Sequence, residues 1–239
     1  MASIELSVVI PAFNESHRLP RTLEEIRPYL DAKGSAYEVL VADDGSRDQT
    51  VALCKQAAQK WPQLKILEAP HGGKGSVVRR GCLSAEGRAI LIMDADHPTP
   101  IATLDLMLPS LAKHDAVVGV RAFSGEEGSS GRFRRIVGLI QQLLAHIIVF
   151  KKSVADSQCG FKLFSKKAAQ LIFSRSRVQG GMYDVEIFCI AQNLNLRIDS
   201  QVVPWVNKEG STINIPRCLV LDPFTLVYIR ILDLMGKYR

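Results

Sequence analysis

Two carboxylates stand at the end of an apolar run in the stretch AILIMDADHPTP, residues 89–100. The run leads straight into Asp94 and Asp96, so the sequence predicts a buried strand that ends in acidic residues. Residues two apart in an extended chain point to the same side, so both carboxylates can face one spot. Two like charges held that close favour a cation between them, and a divalent ion bridging to a diphosphate is one candidate. The alternative, a solvated turn or a cap of the following helix, stays open.

Polar residues follow two other predicted strands or turns. Asp43 and Asp44 end the run in VADDGSRDQT, where a carboxylate can accept hydrogen bonds from a base or from ribose hydroxyls. The stretch HGGKGS, residues 71–76, leads into a predicted helix, where glycines allow a phosphate close to the backbone and Lys74 adds charge. It matches neither the P-loop pattern nor the dinucleotide-binding pattern. An ordinary connecting turn is the alternative for this stretch.

Residues 131–155 contain basic residues and no Asp or Glu, and they surround the apolar run 136–150. Arg134 and Arg135 precede the run, and Lys151 and Lys152 follow it. An apolar helix with cations at its ends is typical of a helix that lies in a membrane interface, here predicted over 134–150. A buried helix with a solvated basic end is the alternative.

Two further acidic residues are candidates for catalysis. Asp184 shares a helical face with apolar residues in MYDVEIFCIAQNL, so its carboxylate either caps that helix or points into a cleft. Asp156 follows the basic segment and either caps a helix or aims at the reaction centre. The histidines are scattered and predict no zinc site, and no convincing Ser/His/Asp or Cys/His arrangement is seen.

The elements that must position these residues alternate along the first half of the chain. Apolar strand runs are predicted at 6–12, 37–44, 64–69, 89–96 and 115–120, with helical patterns between them. This alternation predicts an α/β fold with a mostly parallel central sheet covered by helices on both faces. Ligands of such sheets bind beyond the carboxyl ends of the strands, where the acidic motifs lie. A Gly/Ser-rich loop is predicted at 124–135, followed by a mainly helical part with one late strand near 196–206.

Composition limits the class of protein. The 239 residues suit one domain, 1–239, which the predicted loop divides into 1–123 and 124–239. The formal net charge of +6 favours an anionic partner, but no basic stripe interleaved with aromatics indicates nucleic acid. The five scattered cysteines predict reduced thiols in a cytosolic setting. No signal peptide and no membrane-spanning helix are predicted.

Together the motifs resemble those of inverting glycosyltransferases of family 2, which have the nucleotide-diphospho-sugar transferase (GT-A, Rossmann-like) fold. SVVIPAFNES, VADDGSRDQT, GGKG, MDADHPTP and VVGVR occur in the family's order and spacing. DSQCGFKLFSKKAAQLIF, YDVEIFCIAQ and VPWVNKEGST resemble dolichyl-phosphate glucosyltransferases, and more loosely dolichyl-phosphate mannose synthases. Thr99 matches the glucosyltransferase pattern, Pro98 replaces a Gln of the mannose synthases, and His97 has no explanation in either pattern.

The resemblance implies a nucleotide-sugar-binding half, 1–123, an acceptor-binding half, 124–239, and roles for individual residues. It implies nucleotide-sugar binding by Pro11, Glu15, Asp43, Asp44, Lys74, Asp94 and Arg121, and a Mg²⁺ or Mn²⁺ ion on Asp94 and Asp96. It places Asp156, Gln158, Cys159 and Lys162 around the sugar and acceptor pocket. The basic residues Arg134 and Arg135 are expected as further contacts to the acceptor. Asp156 and Asp184 are the catalytic candidates.

The function predicted on this basis is metal-dependent, inverting transfer of a hexose to a polyprenyl (dolichyl) phosphate, with glucose from UDP-glucose as the first choice. A phosphate monoester is already anionic at neutral pH and needs a positive cradle more than a base, whereas a sugar hydroxyl needs a general base. The alternatives are transfer from GDP-mannose, a soluble family 2 enzyme acting on a sugar hydroxyl or small phosphorylated acid, and a non-enzymatic nucleotide-sugar-binding protein. We expect a peripheral protein on the cytoplasmic face of a membrane; a homo-oligomer or a membrane-protein partner stays open.

Overall fold

Residues 3–123, 129–205 and 215–239 are described by the structure, a computed structural model of the chain; the side chains of residues 123, 129–136 and 215–219 lie outside the description. The strands are β1 Leu6–Ala12, β2 Tyr37–Asp43, β3 Leu64–Glu68, β4 Ala89–Ile92, β5 Ala116–Phe123, β6 Lys162–Ser165 and β7 Ile198–Trp205. The helices are α1 Leu19–Ala32, α2 Thr50–Ala58, α3 Lys74–Ser84, α4 Leu104–Leu111, α5 Ser129–Ile148, α6 Lys166–Arg175, α7 Tyr183–Asn193 and α8 Ile215–Leu234.

The strands form a single sheet in the order β3-β2-β1-β4-β6-β5-β7. β6 runs antiparallel to both of its neighbours, β4 and β5, and the remaining pairs are parallel. The predicted mostly parallel α/β sheet is therefore confirmed. Among the described residues, no helix is long and apolar enough to cross a membrane.

Two expectations for the second half of the chain are wrong in detail. That half contributes β6 as well as β7, whereas one late strand was predicted. β6 has only four residues and begins with Lys162, so its sequence shows no strand pattern of its own. Within the predicted loop 124–135, α5 already begins at Ser129, because an established apolar helix extends into a preceding segment at little cost.

Both faces of the sheet carry a hydrophobic core, as alternation along β1 shows. Val8 and Ile10 point into one core, which also contains apolar side chains of α1 and α4. Val9 points into the other, which contains side chains of α3, α6, α7 and α8. Because strands buried on both faces need apolar residues at nearly every position, they read as continuous apolar runs in the sequence.

A buried carboxylate ties the amino-terminal ends of several strands together. Glu38 on β2 is 1% exposed and accepts hydrogen bonds from the hydroxyl of Ser7 on β1 at 2.7 Å and from the backbone N–H of Glu86 at 2.7 Å. The ammonium of Lys65 on β3 donates to it at 2.8 Å. Burial raises the pKa of Glu38, but the ammonium and these donors outweigh it and hold the pKa below its ordinary value.

Replacing this carboxylate should destabilise the whole sheet. Glu38→Gln is expected to lower the free energy of unfolding by about 1–3 kcal/mol, because it puts an amide among donors that need an acceptor. A depressed pKa stabilises above the unfolded-state value, so the deficit should shrink as pH falls below about 4. Urea unfolding of wild type, Glu38→Gln and the exposed-site control Glu24→Gln measures both effects. Equal stability of the two variants at pH 7 would contradict this assignment.

Candidate active site

The carboxyl ends of β1, β2, β4 and β5 lie at one edge of the sheet, and the antiparallel β6 begins there. In the pairing of β4 with β6, Ile92 lies opposite Lys162, so this lysine is brought next to the residues that follow β4. Arg121 lies near the carboxyl end of β5. The sheet topology therefore gathers the predicted residues of both halves of the chain at this edge.

Asp94 is surrounded by positive charge. The ammonium of Lys74, at the start of α3, donates to its carboxylate at 2.7 Å. Burial raises the pKa of Asp94, but the charges of Lys74, Lys162 and Arg121 outweigh it and hold the pKa below the ordinary value. The backbone of Gly160 also approaches so closely that an added Cβ would lie 1.9 Å from a carboxylate oxygen of Asp94. Asp94 is thus fixed and already neutralised.

Asp96 has a different environment, although it lies only two residues away. Burial and the charge of Asp94 raise its pKa above the ordinary value. The guanidinium of Arg18 lies 3.9 Å from its carboxylate and donates two hydrogen bonds, at 2.7 and 2.6 Å, to Glu15. Burial also raises the pKa of Glu15, against the effect of Arg18. The charged form of Asp96 is therefore less well compensated than that of Asp94.

A divalent ion fits the residues present. Its natural ligand is Asp96, because a nearby cation would relieve the charge that burial and Asp94 destabilise. Within the described part of the chain, no cluster of three or more His, Cys, Asp or Glu residues could hold a metal by itself. A Mg²⁺-type ion accepts one or two carboxylates and completes its coordination with phosphate oxygens and water. Direct coordination by Asp94, which was also expected, stays a prediction.

Two ion pairs line the other side of the edge. Arg121 holds Asp156 through two hydrogen bonds, at 2.7 and 3.0 Å. Burial raises the pKa of Asp156, but Arg121 outweighs it and holds the pKa below its ordinary value. Lys162 is completely buried and donates to Asp184, in the first turn of α7, at 2.6 Å. Both catalytic candidates are therefore tied to a cation.

The remaining acceptor candidates lie close by. The backbone N–H of Gln158 donates to Asp156 at 3.1 Å, and the backbone carbonyl of Cys159 accepts a hydrogen bond from Lys162. The thiol of Cys159 is 1% exposed, and burial raises its pKa. The side chains of Arg134 and Arg135 lie outside the described residues. Their acceptor role, like that of Gln158 and Cys159, stays a prediction.

Asp43 and Asp44 organise the loops at the nucleoside end. Asp43 accepts from the backbone N–H groups of Gly45 and Ser46, both at 3.0 Å. Asp44 accepts from those of Gly72 and Gly73 at 2.7 and 2.9 Å. Both are nearly fully buried, and Pro11 is buried in β1 beside them. Direct contact of these three residues with a nucleoside stays a prediction. The hydrogen bonds that Asp43 and Asp44 accept fix the shape of the loops.

The glycines of HGGKGS have a packing role that was not expected. An added Cβ on Gly73 would lie 2.6 Å from the carbonyl oxygen of Gln179, and one on Gly75 would lie 2.3 Å from that of Val178. Gly73 also has a φ of +99°, which strongly favours glycine. The absence of side chains at Gly73 and Gly75 therefore allows the backbone of residues 178–180 to pack closely against them. The sequence-based interpretation had been close approach of a phosphate.

The structure explains His97. Its Nδ1 lies 3.0 Å from the Glu25 carboxylate on α1, and its Nε2 accepts the backbone N–H of Ile101 at 2.9 Å. The imidazole therefore fixes the turn after Asp96 between α1 and the short 3₁₀ turn at Ile101–Thr103. Thr99 is buried, and its hydroxyl has no hydrogen-bond partner among the described residues.

Sequence reasoning missed Arg18 and Phe13. Arg18 follows Glu15 by three residues just before α1, a spacing that could have indicated the pair. The exposed ring of Phe13 stacks on His71 with centroids 4.5 Å apart, next to the Asp44 loop. No periodicity marks an exposed aromatic after a strand, so the sequence pattern could not identify it.

Comparison with known proteins agrees with this geometry. The family model described as Glycosyl transferase family 2 matches residues 7–173, which span β1 to α6 and include every paired charge described above except Asp184. The chain belongs to glycosyl transferase family 2. The predicted enzyme class, a glycosyltransferase, is thereby confirmed.

Curated relatives of this family 2 glycosyltransferase carry one name. The dolichyl-phosphate beta-glucosyltransferase of Drosophila melanogaster is 36% identical over 228 residues, covering 87% of this chain and 69% of that protein. The Homo sapiens protein of the same name is 33% identical over 260 residues, covering 98% of this chain and 78% of that protein. The predicted resemblance to this group is confirmed.

Solved structures show the same fold. Glucosyl-3-phosphoglycerate synthase from Mycobacterium tuberculosis, in complex with phosphoglyceric acid, matches with a TM-score of 0.67 at 19% identity, covering 94% of this chain and 80% of that one. A complex of the same enzyme with Mn²⁺ and UDP-glucose matches with a TM-score of 0.63 at 18% identity, covering 94% and 79%. The GT-A fold expected of family 2 is confirmed.

Adding one methyl group at Gly160 should disturb this site of the glycosyltransferase. In Gly160→Ala the new Cβ would overlap the Asp94 carboxylate, so the Lys74–Asp94 pair must shift. We expect turnover of the nucleotide sugar to fall by at least about tenfold. Gly138→Ala is the control, since a Cβ there meets nothing within 4 Å among the described residues. Wild-type turnover in a folded Gly160→Ala protein would contradict the placement of Asp94.

Proposed function

We propose that this glycosyltransferase moves glucose from UDP-glucose to a polyprenyl phosphate at a membrane surface, with a divalent ion on the donor diphosphate. The names of the curated relatives support the acceptor and the sugar. The complex of the M. tuberculosis enzyme with Mn²⁺ and UDP-glucose supports the donor and the metal. Pro98 and Thr99 after the acidic motif support glucose over mannose.

The observation that carries the acceptor class is the neutralised state of both candidate bases. Asp156 is held by Arg121, and Asp184 is held by buried Lys162. A hydroxyl acceptor needs a base that can take a proton near neutral pH, and Asp156, whose pKa Arg121 holds below its ordinary value, is poorly suited to that. A phosphate monoester brings its own charge and needs a cation instead, and Arg121, whose side chain is 24% exposed, can supply one.

The proposed reaction is one in-line displacement. A phosphate oxygen of the acceptor attacks the anomeric carbon as the bond to the diphosphate oxygen breaks, so the sugar configuration inverts and UDP leaves. Lys74 and Arg121 stabilise the negative charge that develops on the leaving group. Asp156 keeps Arg121 oriented and balances its charge, and Asp184 does the same for Lys162.

A divalent ion bound at this site would supply Lewis-acid stabilisation of the diphosphate. Asp96 would hold it directly, and Asp94 would hold Lys74 beside it. Arg18 lies between Glu15 and Asp96 and would hold these two carboxylates in a fixed relative position beside the donor.

Donor and acceptor screens test the proposal together. We expect UDP-glucose with Mn²⁺ to raise the melting temperature more than UDP-GlcNAc or GDP-mannose, because ligand binding to the native state stabilises it. Mass spectrometry should then detect glucosyl transfer to a polyprenyl phosphate. Asp96→Asn should reduce transfer by at least about tenfold through loss of the metal ligand.

Two outcomes would redirect the assignment. Transfer to 3-phosphoglycerate, the acid class in the name of the structural neighbours, with none to the lipid phosphate would favour a soluble enzyme that acts on a small phosphorylated acid. Transfer from GDP-mannose alone would favour the mannosyl alternative. Binding of the donor with no transfer and no hydrolysis would favour a binding protein.

The membrane part of the proposal rests on two neighbouring helices. α5 exposes Leu139, Leu143 and Ile147, the last at 71% exposure. α8, which packs against α5, exposes an apolar stripe at helical spacing: Val220, Phe224, Val227, Ile231 and Leu234. The sequence-based interpretation had selected only 134–150. Two apolar faces together match an interfacial platform better than one helix does.

Flotation with liposomes tests this platform. Phe224→Glu should strongly reduce co-flotation with anionic vesicles, since it places a charge on the stripe at a residue that is 71% exposed. Leu106→Glu, on α4 and 57% exposed, is the matched control and should float like wild type. High salt should release part of the wild-type protein. Equal flotation of both variants would count against α8 as a docking surface.

A further inference from the structure

Glu186 is a carboxylate that neither the family resemblance nor the proposed reaction uses. It lies in the first turn of α7 and is 0% exposed. It accepts hydrogen bonds from the backbone N–H groups of Arg177 and Val178, both at 2.9 Å, and from the phenol of Tyr238 at 2.7 Å. A buried carboxylate is costly unless its oxygens are satisfied, and here backbone and phenol donors satisfy them.

Tyr238 reaches Glu186 because α8 ends in a specific turn. Gly236 has a φ of +73°, and the N–H of Lys237 donates back to the carbonyl of Leu232 at 3.0 Å. This pattern terminates a helix and reverses the chain. Tyr238 is consequently turned inward and is completely buried.

The backbone segment that Glu186 holds contacts the first turn of α3, which begins within the HGGKGS stretch. The carbonyl of Gln179 accepts hydrogen bonds from the N–H groups of Gly75 at 2.7 Å and Ser76 at 3.3 Å. The N–H of Gly75 is one of the first of α3, which a helix cannot satisfy internally, whereas that of Ser76 also donates to the carbonyl of Gly73 at 3.0 Å. Lys74, the first residue of α3, carries the ammonium bound to Asp94.

We propose that Glu186 and Tyr238 are positioning residues for the donor: through the backbone of residues 177–179 they hold the first turn of α3 and so place Lys74. This inference rests on the proposed function in one respect, the contact of Lys74 with the donor phosphates. Gly73 and Gly75 are part of the same arrangement, because their lack of side chains lets the backbone of residues 178–180 pack against the start of α3.

Tyr238→Phe tests the proposal with the smallest change. It removes one hydroxyl and keeps the ring, so the protein should fold. Tyr29→Phe is the matched control, because its hydroxyl binds Asp105 on the surface, at 2.9 Å. Hydrogen exchange at the amide of Gly75, whose N–H donates to Gln179, should accelerate about three- to tenfold in Tyr238→Phe, the loss expected from one hydrogen bond, and not in the control.

Donor binding provides the second readout. We expect the Kd for UDP with Mn²⁺, and the KM for the donor, to rise about three- to tenfold in Tyr238→Phe, with kcat at saturating donor within about twofold of wild type. Glu186→Gln should show the same split more strongly. A lower melting temperature with unchanged exchange and unchanged KM would show a merely structural role and overturn the proposal.

The two failures are distinguishable. If wild-type protein does not bind UDP, the proposed function is wrong, yet the exchange measurement still decides whether Tyr238 and Glu186 hold α3. If wild type binds UDP and Tyr238→Phe binds it equally well with unchanged exchange, only the positioning role is wrong.

Discussion

The pairing of opposite charges at the end of the sheet is the constraint on which the rest of the structure depends. Four cations and five carboxylates meet in these ion pairs: Arg18, Lys74, Arg121, Lys162, Glu15, Asp94, Asp96, Asp156 and Asp184. Asp43 and Asp44 at the same edge are held by backbone N–H groups instead. Removing one partner of a buried pair is strongly destabilising, because it leaves the other charge uncompensated. β6 and the first turns of α3 and α7 supply Lys162, Lys74 and Asp184 to these pairs.

Asp94 and Asp96 show how neighbouring residues of one type acquire different chemistry. Asp94 contacts an ammonium directly, whereas Asp96 has a guanidinium 3.9 Å away that also serves Glu15. One carboxylate is thus stabilised as an anion, and the other is left in need of a cation. β4 ends at Ile92, so Asp94 and Asp96 lie after the strand and at the following turn, where a strand through Asp96 was predicted. The difference between them arises from the elements around this turn.

The sequence predicted what depends on local pattern and missed what depends on distant contact. Strands β1, β2 and β4 were evident because burial on both faces makes them continuous apolar runs. β6 was missed because four residues beginning with Lys162 carry no periodicity. The acidic motifs located the site, but which cation meets which carboxylate is set by partners 20 to 35 residues away, such as Lys74 and Asp94 or Arg121 and Asp156. The exposed stripe of α8 reads as an ordinary apolar helix until its neighbours are known.

The insertion of β6 between β4 and β5 has a consequence for how the chain reaches its native state. The pair Ile92 and Lys162 closes a loop of roughly 70 residues. Such non-local pairing is slow, because the entropy of closure is lost before the contacts form. During synthesis β4 would expose an unpaired edge until β6 has left the ribosome, and unpaired edges are prone to aggregate. Lys162, a charged residue at the start of the incoming strand, is also the partner of Asp184, so the pairing of β6 with β4 positions one side of this ion pair of the site.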